Sequence, residues 1–149
     1  MSTNTLSRYF ELQDDTIEYF NVVVTGMVMA MRINFKVIGD NKQKSLIQVK
    51  KITPVYEFIT ENQILVTINE DLYDLMSGDD ATELLFREAL NNIEMNVESG
   101  TIKIVKPNLI TSSSIVERYG LDAVKRAKDL EKETLEQTEE RKTEEVNFS

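Results

Sequence analysis

Residues 64–68 read Ile-Leu-Val-Thr-Ile, a five-residue run with no charge and a single hydroxyl. A segment this short does not make a buried helix, and a run with no polar face does not suit a sheet open to water. It predicts a strand in an interior position of a sheet. Two further strand patterns precede it in the chain. Ile33, Phe35 and Val37 alternate with Asn34, Lys36 and Ile38, which predicts a half-buried strand. Gly39-Asp40-Asn41-Lys42 predicts a turn and Leu46 to Ile52 a returning strand, so residues 33–52 read as a hairpin.

The hydrophobic period shifts from two to 3.6 on both sides of these strands. Asp14 or Asp15 is placed to cap a helix whose apolar positions are Ile17, Phe20, Val24, Met27, Val28 and Met31, so it is expected to run to about Met31. The run Val22–Val24 weakens that helix, because β-branched residues favour strands. Residues 71–76 predict a short helical turn. Gly78-Asp79-Asp80 opens the clearest helix, capped by Asp79 or Asp80, with Leu84, Leu85, Ala89, Leu90 and Ile93 on its apolar face. Thr101 to Val105 predicts a short strand stopped by Lys106-Pro107-Asn108. Ser112 to Tyr119 predicts a helix, punctuated by Gly120, and Leu121 onward continues helically. Residues 1–12 yield no assignment.

These elements predict an α+β fold: a small mixed sheet of three to four strands packed against helices over residues 1–120. Residues 121–149 form a charged tail, expected to be helical or partly disordered. From Leu121 onward it holds nine acidic and six basic residues, with Leu130 and Leu135 the large apolar residues before Val146. No heptad seam persists through three repeats, so the tail is not a self-sufficient coiled coil. Its Glu and Lys spacing supports a solvated helix through i,i+4 pairs.

A length of 149 residues suits one domain, and 41% hydrophobic with 29% charged residues is globular composition. The chain has no cysteine and no histidine. Disulfides, thiolate metal sites, thiol nucleophiles and serine triads of the histidine type are thereby excluded. Carboxylate-only chemistry and Ser–Lys dyads survive without a local signature, so no cofactor is expected. The most apolar stretch, Val22 to Met31, is interrupted by Thr25 and Gly26 and is too short to span a bilayer. Met1 to Arg8 is polar and lacks a signal core, and the expected location is intracellular.

The formal net charge of −9 argues against nucleic-acid binding by the whole surface. Between Arg32 and Lys51, six cations (Arg32, Lys36, Lys42, Lys44, Lys50, Lys51) face one anion, Asp40, a local +5 that leaves −14 on the remainder. Lys36, Lys42, Lys44, Lys50 and Lys51 are therefore a candidate contact surface. The competing reading is that they blunt an edge strand against aggregation.

Helix, strand, strand, strand and helix is the order in which a zincin sets a sheet beside a helix bearing H-E-x-x-H. The five residues in that place are Arg87, Glu88, Ala89, Leu90 and Asn91. Downstream, Glu98 to Asn108 (ESGTIKIVKPN) and Ile115 to Gly120 (IVERYG) resemble the G-x-(I/Y)-K-x-x-K-P-D and Y-G stretches of the phage metallopeptidase family. The resemblance spans about Ile64 to Gly120 and implies a zincin-like core. It departs from the family at both ligand positions, Arg87 and Asn91: a permanent cation stands where zinc would sit, and Asn is a poor zinc donor. Glu88 is then expected to be solvated or paired with Arg87 or a nearby lysine; a carboxylate site from Glu88, Glu94 and Glu98 and a retained binding groove without metal are the alternatives.

The resemblance with its lost ligands points to a non-catalytic binding or structural module, with a phage or host protein as partner and the host cytoplasm or the virion as its place. An acidic inhibitor that imitates DNA, and nucleic-acid contact through the basic hairpin, are the other two readings. No membrane partner is expected.

Overall fold

A computed structural model describes residues 8–27, 33–96, 98–105 and 113–148, with 113, 114 and 142–148 described by backbone alone. The fold is α+β. β4 (Ile64–Ile68) lies between β2 (Phe35–Asp40) and β3 (Ile47–Lys51), parallel to the first and antiparallel to the second. β1 (Tyr9–Phe10) extends β2 on its other side, giving the order β1-β2-β4-β3. Ile64, Val66 and Ile68 are fully buried, and Val66 stands in register between Val37 and Val49.

The expected hairpin does not form: β2 and β3 are both present, but β4 separates them. Burial explains the order. β4 carries no charge and is best placed where both edges are paired, whereas β3 carries Lys50 and Lys51 and tolerates an edge. Near the C-terminal end of β2 Gly39 makes room for Phe10, since a Cβ there would lie 2.4 Å from the ring. Asp40 follows, 3% exposed, accepting from Arg8 at 3.3 and 3.2 Å and from the Lys42 amide at 3.0 Å.

The helices are α1 (Asp14–Thr25), α2 (Pro54–Thr60), α3 (Glu70–Met76), α4 (Asp80–Asn91), α5 (Ser113–Tyr119) and α6 (Leu121–Phe148). A second, two-stranded antiparallel sheet pairs β5 (Ile93–Met95) with β6 (Ile102–Ile104). Two expected boundaries move. α1 stops at Thr25, where the Gly26 amide bonds back to Val23; glycine is the weakest helix former in that run apart from proline. Val28–Met31 lie outside the described residues, as do Arg32 and Lys106-Pro107-Asn108. α4 stops at Asn91, so Ile93 opens β5 instead of closing the helix face.

The helix starts are tied by side chains, some adjoining and some from elsewhere in the chain. α1 has no side-chain cap of its own; the buried Glu70 carboxylate accepts from the Gln13 amide at 3.0 Å and the Thr16 hydroxyl at 2.6 Å. Asn69 caps α3 by accepting from the Leu72 amide, and Asn41 accepts from the Glu70 and Asp71 amides. Asp79 caps α4 by accepting from the Ala81 amide at 2.9 Å. Between these ends the core closes around Phe20, Phe86, Leu72 and Met76, with Tyr19 edge-on to Phe86 at 5.1 Å.

Gly120, at φ 86°, makes the turn from α5 into α6. The tail expected after that glycine is helical and packs on α3 and α4. Val124 and Ala127 are wholly buried, and Thr134 and Thr138 are each 6% exposed.

Candidate functional site

Arg87, Glu88 and Asn91 lie in the second half of α4, the helix the metallopeptidase resemblance singles out. Arg87 Nε donates to Glu83 one turn earlier at 3.2 Å. Its guanidinium also reaches the end of α1, where a Cβ on Gly26 would sit 3.1 Å from a terminal nitrogen. A cation in that place complements the negative end of α1. Arg87 is thus a tie between two helices.

Glu88 points the other way, toward α6. Its side chain is 17% exposed, and its carboxylate lies 3.3 Å from Lys128 Nζ. Glu88 Oε2 has no hydrogen-bond partner, so the contact is Coulombic. Of the expected partners, the nearby lysine holds Glu88, and Arg87 is engaged elsewhere. One turn further along α6, Glu131 accepts from the Leu46 amide at 2.8 Å at the start of β3. Burial pushes the Glu131 carboxyl above its ordinary value, the Leu46 amide pulls it back, and the charge of Glu88 adds to the rise. Asn91 is half-buried in the last turn of α4.

The residues that would hold zinc do not fit it. A guanidinium and a carboxamide occupy the i and i+4 positions, and α6 lies on the Glu88 face. Glu94 and Glu98 are not brought to Glu88. Glu94 lies on β5 opposite Lys103, with 3.7 Å between their charged atoms, and Glu98 is exposed in the β5–β6 turn. Among the described residues no three His, Cys, Asp or Glu side chains are grouped to hold a metal ion.

The five lysines of the candidate contact surface divide between the two ends of the sheet. Lys36 and Lys50 flank Leu65 in one cross-strand row, and Lys51 is in the next. Lys42 and Lys44 lie beyond the far end of β2, at least four residues or about 13 Å away along the strand. Lys44 pairs there with Glu139 of α6. Lys36, Lys50 and Lys51 instead rim a groove of about 520 Å³ between the outer sheet surface and α2, where Tyr56, Thr60 and Leu65 also line it.

Nothing in the sequence reading located α2, Lys128 or Glu131 as parts of a site. Thr53-Pro54 is the signal that marks the start of α2, because proline suits the first helical turn, where its missing amide is not needed. Lys128 and Glu131 sit in a run of alternating charge where no pattern sets them apart from their neighbours.

Comparison of the chain with protein-family models, with curated proteins and with solved structures returns no match.

Proposed function

We propose that the chain is a non-catalytic, phage-type protein built on a degenerate zincin-like scaffold, working as a binding or structural module with a phage or host protein as partner. The observation that carries this reading is the packing of α6 on α4: Lys128 neutralises Glu88 beneath it. A general base for peptide hydrolysis needs a solvent path, an adjacent metal-bound water and a substrate cleft on its own side of the helix. Glu88 meets a lysine and a neighbouring helix there instead. The groove beside α2, with its lysine rim, supports the binding half of the reading, and the host cytoplasm or the virion is the proposed location.

The test is metal analysis of the purified chain together with a peptidase assay on a broad peptide pool. Less than a tenth of an equivalent of zinc after dialysis against zinc, with no cleavage, is the expected result. Stoichiometric zinc, with cleavage abolished by Glu88→Gln, overturns the proposal.

A further inference from the structure

The stripe of α6 turned to the domain runs through Val124, Ala127, Glu131, Thr134 and Thr138. Its character changes half-way. Val124 and Ala127 are wholly buried, and beside them Arg126 holds Asp79 with both terminal nitrogens. Thr134 and Thr138 are buried too, but their hydroxyls donate to carbonyls of their own helix, those of Leu130 and Thr134. Neither bond ties the helix to the domain. From this distal half Glu131 reaches the domain by accepting from the Leu46 amide at 2.8 Å, and Glu139 by an exposed pair with Lys44. An exposed ion pair holds little. Glu131 is the firmer fastening.

A carboxylate in the inward stripe of a helix needs company. On α4 it meets Glu88, with Lys128 Nζ 3.3 Å from Glu88 Oε2. Lys128 and Glu131 are three residues apart and so lie one above the other on α6. Two carboxylates thus share the seam with this one ammonium. Glu88 Oε2 is buried and has no hydrogen-bond donor. Glu131 Oε2 takes the Leu46 amide. A proton on Glu131 Oε1 makes that oxygen a donor for an acceptor that lacks one.

We infer that the distal half of α6, from Glu131 onward, is a strap fastened by a proton that Glu131 takes from solvent and shares with Glu88. Loss of that proton lets the strap lift, while Val124 and Ala127 keep the proximal half seated. Lifting bares the Leu46 amide at the start of β3 and the Glu88 face of α4. The local electrostatics favour the proton. Burial first raises the Glu131 carboxyl and the charge of Glu88 adds to it, against the pull of the Leu46 amide and Lys128. Among the described residues, no charge of α3 or α5 is among those acting on it. A proton held more tightly in the docked state favours docking below the ordinary 4.5, and that advantage is lost as pH rises through the docked value. The inference shares the α4–α6 contact with the non-catalytic reading, but neither zinc content nor peptide cleavage bears on it.

Hydrogen exchange of the full chain, read by mass spectrometry and corrected for the intrinsic effect of pH, follows the two halves of α6 separately. From neutral pH down to 4.5, protection of residues 131–141 is expected to rise about threefold or more, with residues 121–130 unchanged. Glu131→Gln sets an amide donor and an acceptor where the protonated acid has them. Its distal half should therefore be as protected at neutral pH as the parent's is at 4.5. Carbon-13 resonances of the carboxyl groups supply a second readout: Glu131 should titrate above 4.5 in the parent, with a lower midpoint in Glu88→Gln. Equal gains in both halves, a distal half indifferent to pH, or a response that survives Glu131→Gln overturns the proposal. So does a Glu131 carboxyl that titrates at or below 4.5, or whose midpoint Glu88→Gln leaves in place. The titration of Glu131 in the parent decides the matter even where a variant fails to fold.

Discussion

Lys128 Nζ lies 3.3 Å from Glu88 Oε2, and the glutamate is the more buried partner, its side chain 17% exposed against 32%. Breaking such a pair from the lysine side leaves a charge with little water to solvate it. Lys128→Met is expected to destabilise the fold by about 1–3 kcal/mol, less than for a fully buried pair because water still reaches the lysine. Glu88→Gln added to it should recover much of the loss. Urea denaturation of the four chains in this cycle measures the coupling. Additive effects would show that α6 is not held through this contact.

Asp79 joins two roles, capping α4 through the Ala81 amide and accepting both terminal nitrogens of Arg126 at 2.9 and 3.0 Å. Arg126 first and the Ala81 amide second hold its carboxyl down from 3.8 to about 2. Because the folded pKa is the lower one, the stability it confers is present above pH 3.8 and lost as pH falls toward 2. Thermal melts between neutrality and pH 2 should therefore show an acid limb that Asp79→Asn flattens. Arg126→Met should flatten it less, since the amide bond remains.

Glu131 has the opposite sign. Its raised folded pKa means that its favourable contribution exists below the ordinary 4.5 and is lost as pH rises through the folded value. Above that value, ionising this buried carboxylate costs stability. Glu131→Gln keeps an acceptor for the Leu46 amide, so its melting temperature should equal or exceed the parent's at pH 7 and match it at pH 4. A lower value at pH 7 would show that Lys128 outweighs burial at this position.

Glu70 is the cap that α1 lacks. Glu70→Ala removes the acceptor from the Gln13 amide and the Thr16 hydroxyl, both at a buried junction, and should cost about 1–3 kcal/mol in chemical denaturation. Glu70→Gln supplies an acceptor in the same place and should restore at least half of that. Equal losses for both would mean that the charge, and not the hydrogen bonding, matters here.

The elements legible in the sequence were those whose pattern is local. Ile64–Ile68 announces an interior strand by composition alone, and Asp79 with Leu84, Leu85 and Leu90 announces α4 by cap and period. The pairing order was not legible, because nothing within residues 33–52 says that a strand from later in the chain will come between its two halves. Helix α2 was hidden since its apolar residues face outward, opposite to the assumption that lets a period be read. The helix α6 was expected, but its packing on the domain was hidden for the converse reason. Its inward positions, Val124, Ala127, Glu131, Thr134 and Thr138, follow three- and four-residue steps, but small and polar side chains fill most of them. The candidate site suffered most: the fate of Glu88 depends on Lys128, forty residues away along the chain, and only the packed fold brings them together.

The interposed strand also sets an order of events for a folding chain. β2 and β3 are nearest neighbours in sequence, yet neither gives the other a hydrogen-bonding edge, so the quickest route to a sheet, a tight two-strand nucleus, is closed to residues 33–52. β3 meets β4 across gaps of 13 to 21 residues, between Lys51 and Ile64 at one end and Ile47 and Ile68 at the other, whereas Phe35 meets Ile64 across 29. Loop closure therefore favours β3 with β4 as the first ladder, and β2 then arrives as a late third strand against an edge already built. A kinetic probe on Val37 should lag one on Val49 during refolding.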